Sequence, residues 1–191
     1  MGFLLCYNHL KKSVFVEAIQ LIEVIDVKPE NRELLWNVHQ KYLYEMTNYY
    51  DDEIDDTGNY YYGYFDAYFT EPERKALLIY MDQVLVGFAM INPYSYINEK
   101  PDHVLAEFTI FPMYRKRHIA TEAAETIFNR FSGRWEVKYN EKNTAAKGLW
   151  NKVTEKYSPQ MIPFGDVETV LSFSTKCSCK SREIFPSFPG L

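Results

Sequence analysis

Residues 107 to 121 read Glu107-Phe-Thr-Ile-Phe-Pro-Met-Tyr-Arg115-Lys-Arg-His-Ile-Ala120-Thr121. The stretch holds an apolar, β-branched run, a proline, three consecutive cations, and then the start of a pattern with period four. Asp102 to Phe111 has strand composition, and Pro112, which lacks a backbone donor, stops it. From Arg115 to Phe131 the apolar residues Ile119, Ala123, Ile127 and Phe131 fall on one helical face, and Gly133 closes the helix. A strand therefore runs through a basic turn into a helix. A helix start leaves unpaired N–H groups and a partial positive charge pointing outward, and Arg115, Lys116 and Arg117 add to that field. The turn is thus suited to a phosphate. The other reading is a solvated basic turn.

Upstream, Ile19 to Val27 reads as a strand, and Leu34, Leu35, Val38, Tyr42 and Met46 follow at helical spacing. Thr47 to Asn59 reads as a loop, with a short helix expected over Tyr62 to Phe69. Ala76 to Met81 and Val84 to Asn92 are strand-like runs separated by Asp82-Gln83, the spacing of a two-residue hairpin. Downstream, Trp135, Val137 and Tyr139 alternate with Glu136, Lys138 and Asn140, which predicts a strand with one buried face. Asn143 to Tyr157 reads as a helix, followed by strands at Gln160 to Phe164 and Glu168 to Thr175. The order βα(α)βββαβαββ predicts one mixed α/β sheet with helices on its faces.

With 191 residues, 47% of them apolar and 25% charged, the chain has the composition of a globular domain. Its apolar runs are too short to cross a bilayer, so a soluble protein without a membrane partner is expected. Three cysteines, Cys6, Cys177 and Cys179, make an odd count with no framework spacing, which suits the reducing cytoplasm and argues against a metal site. The expected division is an N-terminal extension over 1–18, one domain over 19–176 and a mobile tail over 177–191.

Charge is unevenly spread. Tyr42 to Glu73 holds nine acids and no Lys or Arg, whereas Arg115 to Lys152 holds nine basic residues against four acids. The net charge of −5 and the single compact basic stretch argue against nucleic acid as a partner.

The strand–turn–helix piece resembles the GNAT superfamily, the acetyl-CoA-dependent N-acetyltransferases. In that family (Arg or Gln)-x-x-Gly-x-(Gly or Ala) holds the CoA diphosphate; the matching residues here are Arg115-x-x-His118-x-Ala120. Asn143-Thr-Ala-Ala146-Lys-Gly-Leu149-Trp150 looks like the family's last CoA-contacting helix, and the order of elements is also the family's. The resemblance implies a mixed, mostly antiparallel sheet flanked by helices. It also implies acetyl-CoA as cosubstrate with no metal, bound by Phe108, Thr109, Ile110, Phe111, Arg115, Lys116, Arg117, His118, Ile119, Ala120, Thr121, Asn143, Ala146 and Trp150. A backbone N–H near Thr109, Ile110 or Phe111 would meet the thioester oxygen. Two positions depart from the pattern: His118 stands where the family has Gly, and Trp150 stands where many members have a Tyr that protonates the departing thiolate. Tyr157 or a water would then supply that proton.

The implied reaction is N-acetylation of a primary amine by direct attack, with Glu107 as the base. An amine with pKa about 10.4 is almost wholly protonated at neutral pH, a deficit of roughly 4 to 5 kcal/mol. A carboxylate on the strand before the cofactor turn is placed to relieve it. The acidic segment lies where the family closes its acceptor site, and nine tyrosines fall between Tyr42 and Tyr68. Tyr42, Asp51, Asp52 and Tyr64 are therefore candidates to receive a cationic small molecule or side chain. A solvated loop, core rings or a homodimer interface are the other readings of this segment. A CoA-binding or protein-interaction module without turnover is the alternative function.

Overall fold

The computed structural model describes residues 21 to 175. The N-terminal extension, the C-terminal tail and all three cysteines lie outside the described residues. Strand β1 (Ile22–Asp26) leads into α1 (Arg32–Met46). A long loop containing the short α2 (Ala67–Thr70) then precedes β2 (Lys75–Met81), β3 (Val84–Asn92) and β4 (His103–Ile110). After these come α3 (Ile119–Arg130), β5 (Arg134–Asn140), α4 (Thr144–Thr154), β6 (Gln160–Phe164) and β7 (Glu168–Ser174). The seven strands form one sheet in the order β1-β2-β3-β4-β5-β7-β6, antiparallel throughout except for the parallel pair β4–β5.

Local sequence explains most of the boundaries. Asp82 and Gln83 both take positive φ (49° and 67°), the two-residue geometry whose twist matches that of the strands it joins. The helix expected from Arg115 starts only at Ile119, because Lys116 and His118 adopt left-handed conformations (φ 60° and 63°) that helical geometry excludes. The helix expected over Tyr62 to Phe69 shrinks to Ala67–Thr70.

Both faces of the sheet are covered. Leu77, Ala89, Ile91, Leu105, Trp135 and Val137 pack under Ala124, Ile127 and Phe128 of α3 and Trp150 and Val153 of α4. Leu78, Phe88 and Met90 pack under Leu35 and Val38 of α1 together with Phe65 and Tyr68. Truncating a fully buried ring such as Phe88 or Phe128 to Ala costs about 3–5 kcal/mol. The expectation of a single buried face on β5 needs correction, since Glu136 is buried between Trp135 and Val137. Its carboxylate accepts hydrogen bonds from Ser95 Oγ (2.6 Å) and the Tyr96 amide (2.8 Å), so it ties the β3–β4 connection down across β5.

Two irregularities in β4 position the site. Ile91 pairs with Leu105 but Met90 pairs with Glu107, so Ala106 is an extra residue in the strand, a β-bulge. Side chains two apart normally share a face. Here Leu105 packs in the α3–α4 layer, while Glu107 lies on the α1 side, and Phe108 takes up the α3–α4 side again. The second irregularity is a split. Strands β4 and β5 pair only at His103↔Trp135, Val104↔Glu136 and Leu105↔Val137, then diverge, although each stays paired to its other neighbour.

Candidate active site

Glu107 lies partly buried on the α1 side of β4, beside the split. Burial pushes its carboxyl up to about 7; hydrogen bonds from Tyr42 of α1 and from Tyr62, and the Lys138 charge, oppose the rise, and Asp52 adds to it. Burial and the neighbouring carboxylate raise the Tyr42 and Tyr62 phenols well above their ordinary range, so both remain protonated donors. Beneath them His39, one helical turn before Tyr42, is fully buried. Its ring lies 4.4 Å from Tyr62, 5.8 Å from Phe88 and 6.1 Å from Tyr42, centroid to centroid. Neither imidazole nitrogen has a hydrogen-bond partner among the described residues, and burial pushes the ring down to about 4.

Strand β5 and the β3–β4 connection supply the opposite wall. Lys138 Nζ and the Tyr50 hydroxyl both reach Glu168 Oε1, at 2.6 and 2.8 Å. The Lys138 ammonium also lies 5.0 Å from the Tyr96 ring and 5.3 Å from Phe164, a caged cation whose charge Glu168 balances. Tyr96 is held there by Glu136.

The expected acceptor residues divide. Tyr42 faces Glu107 directly, and Asp52 is exposed but close enough for its charge to act on that carboxyl. Asp51 is an exposed loop residue, and the exposed Tyr64 ring belongs to a separate cluster in which Arg74 lies against Tyr64, Tyr68 and Tyr94. Asp55 organises its own turn, accepting from Thr57 N and Oγ1 and from Asn59 N. The acidic segment is also less bare than its sequence suggests: Arg32, Arg74 and Arg115 fold back onto Asp66, Glu71 and Glu45. Tyr62, Tyr96, Lys138 and Glu168 were not singled out by sequence. The tyrosine density of the segment was the only signal pointing at one of them.

On the other side of β4 the useful groups are main-chain ones. The Phe111 amide donates to Val86 O (2.8 Å), so it is occupied and is not the free donor that the sequence left open. Strand alternation then turns the Ile110 N–H the opposite way, toward the split, while the Ile110 carbonyl accepts from Arg115 Nε at 2.7 Å. Phe108 packs edge-to-face on Trp150 at 5.0 Å. Thr109 is buried, and Ile110 and Ile119 join the core. Ala120 and Thr121 lie in the first turn of α3, after Lys116, Arg117 and His118, all exposed. Asn143 caps α4, its side chain accepting from the Ala146 amide at 3.0 Å, and Ala146 packs against the core. Tyr157 stacks on Phe173, which pairs with Trp135 at the closed end of the β4–β5 pair, so it is not placed at the split. Unpaired strand edges, a helix N-terminus and two exposed cations fit a thioester cofactor with a diphosphate. Among the described residues no cluster of His, Cys, Asp or Glu is arranged to hold a metal, and no helix is long and apolar enough to cross a membrane.

A split sheet with a basic turn at its mouth matches one family of folds. The acetyltransferase (GNAT) family model covers residues 33 to 154, and the chain belongs to that family. It is similar in structure to an acetyltransferase from Thermus thermophilus (18% identity, TM-score 0.60, 81% of this chain and 97% of that one). It is also similar to a GNAT-family acetyltransferase from Streptococcus agalactiae (14%, 0.59, 81% and 96%). A third similar structure is the spermidine N-acetyltransferase of Vibrio cholerae, solved with CoA and spermine (12%, 0.53, 79% and 92%). At these identities the likeness is one of fold. The sequence has no match among curated proteins.

Proposed function

We propose that the protein is a cytoplasmic N-acetyltransferase that moves an acetyl group from acetyl-CoA to a primary amine on a cationic small molecule or side chain, by direct attack in a ternary complex. One observation carries this reading: a glutamate set among Tyr42, Tyr62 and Lys138 directly beside the strand split, whose carboxyl burial pushes up to about 7. A base is most effective when its pKa lies near the working pH, and Glu107 meets that condition, whereas an ordinary exposed glutamate does not.

Acetyl-CoA bound along the β4 edge would supply an activated acetyl group. Its diphosphate would meet the α3 amides with Lys116 and Arg117, and the Ile110 N–H, facing the split, is the available main-chain donor. On the acceptor side, the tyrosine faces and the carboxylates receive the ammonium form of the amine. Glu107 then takes one proton from that nitrogen and leaves its lone pair free to attack the thioester carbon. As the C–N bond forms the C–S bond would break, the nitrogen would lose a second proton to water, and CoA would leave as the thiol, taking its proton from water. The Tyr42 and Tyr62 hydroxyls fix the carboxylate, and the balanced Lys138–Glu168 pair keeps a second positive charge from repelling the acceptor.

The second reading, CoA binding without turnover, is favoured by Trp150, which is buried and offers no hydroxyl at the split. Thiol release from acetyl-CoA in the presence of polyamines, aminoglycosides or lysine peptides separates the two. Release that depends on a cationic amine supports the enzyme. CoA binding with no release for any amine supports the module.

A further inference from the structure

Arg115 is where the family pattern and the geometry part. The pattern gives this side chain to the diphosphate, yet its guanidinium is engaged elsewhere. Nε donates to Ile110 O at 2.7 Å, Nη1 and Nη2 donate to the two carboxylate oxygens of Glu45 at 2.5 and 2.6 Å, and Nη2 lies 3.4 Å from Thr109 Oγ1. A fork-to-fork pair of this kind is the strong, directional form of an ion pair. It joins the end of β4 to the last turn of α1. Immediately after it come Lys116 and His118, both left-handed without being glycine. Such backbone states persist where the surroundings over-determine them. Lys116 and Arg117, by contrast, make no ion pair among the described residues.

We propose that the Glu45–Arg115 pair is a positioning clamp that holds this glycine-free loop in the shape that receives a diphosphate, and that Arg115 does not itself bind phosphate. The phosphate charge is met by Lys116, Arg117 and the α3 amides. The proposal rests on reading the loop as the CoA site. It reverses a simple electrostatic expectation: removing the Glu45 charge should help a polyanion bind and free an arginine for it, whereas loss of the clamp should hinder binding.

The test is calorimetric titration of CoA into wild type, Glu45→Gln, His118→Gly and the double variant, with amide hydrogen exchange of residues 116–119 measured without ligand. Glu45 is partly exposed on a helix, so the folded state should survive the change. The expected result is CoA binding weakened about threefold to tenfold in Glu45→Gln, in the range of a well-formed ion pair, and faster exchange in the loop. Most of the loss should disappear in the His118→Gly background, because glycine takes the left-handed state without strain. Tighter or unchanged CoA binding in Glu45→Gln overturns the clamp, as does an equal loss in both backgrounds. If wild type binds no CoA, the site reading fails by itself, and exchange alone then judges the clamp: faster supports it and unchanged overturns it.

Discussion

On the β5 side of β4 the groups offered to a ligand are peptide N–H and C=O, a helix start and two solvent-facing cations. On the α1 side they are side chains drawn from α1, the long loop, the β3–β4 connection and two further strands. Main-chain recognition depends on where the backbone goes and tolerates many residue types. Side-chain recognition depends on particular rings and carboxylates brought together by tertiary packing. On the proposed reading the first side would therefore tolerate His118 and Trp150, and the second would set which acceptor is used.

The largest effect should come from Glu107→Gln, which removes the base but keeps its shape. It should lower kcat by roughly 10²- to 10⁴-fold while CoA affinity, measured by titration, stays at the wild-type value. In wild type kcat/KM should rise with pH through about 7, as the carboxyl of the free enzyme loses its proton, and the variant should lack that limb. Loss of CoA binding in this variant would erase the proposed independence of the two sides.

Glu136→Ala comes next. It strips partners from Ser95 and the Tyr96 amide in a buried place and should cost about 2–4 kcal/mol by denaturant midpoint. Because Tyr96 is then free to leave the cleft, acceptor KM should rise while CoA affinity does not. A rise in both would mean that the strap supports the whole split.

Stability against pH sharpens the comparison further. Glu107 binds its proton more tightly folded (about 7) than unfolded (4.5), so this group costs stability as pH rises from 4.5 through 7. Glu107→Gln should accordingly be the more stable protein at pH 8, by less than about 3 kcal/mol. His39 acts in the other direction. With its pKa lowered from 6.5 to about 4, it costs stability as pH falls through that window, and His39→Phe should flatten the acid limb of a melting-temperature profile.

The smallest effect belongs to the exposed acids. Replacing Asp51, Asp52 and Asp56 together with Asn should raise KM for a polycation about twofold to fivefold at low salt and much less at physiological salt, where the Debye length is about 8 Å. CoA affinity should be unchanged, since the basic turn lies on the other side. An equal KM for wild type and the triple variant at low salt would make these residues a solvated loop.

Much of the fold was legible because its signals are local. Asp82-Gln83 between two apolar runs, the spacing of four from Ile119 to Phe131, and Pro112 after a strand each act over a few residues. The strand–turn–helix proposed to hold CoA was legible for the same reason, as one contiguous stretch. Of the groups around Glu107, sequence named only Tyr42 and Asp52, because the others are far apart in the chain: Tyr62, Tyr96, Lys138 and Glu168 share no spacing. Glu136 read as a solvent-facing residue because period two predicts face, and nothing local announces that Ser95 and Tyr96 will cover it. The Arg115–Glu45 pair was not legible for the same reason, since the two residues are 70 apart in the chain.

The extra residue at Ala106 bears on how such a chain can vary over descent. Deleting Ala106 would join Leu105 directly to Glu107 and restore strict alternation without exchanging faces, because the pairs Ile91↔Leu105 and Met90↔Glu107 would become consecutive. The faces exchange only if the residue stays and the bulge goes: Ala106 would then take a pair of its own, Glu107 would fall on the Leu105 face under α3 and α4, and the Phe108 ring would turn to the side of Tyr42 and Tyr62. The same residue types would still make a strand in the same sheet, with carboxyl and packing ring traded. Register against β3 is therefore a heritable constraint separate from residue identity: a lineage can lose Ala106 and keep Glu107 on its face, but it cannot absorb that residue into regular pairing and do so.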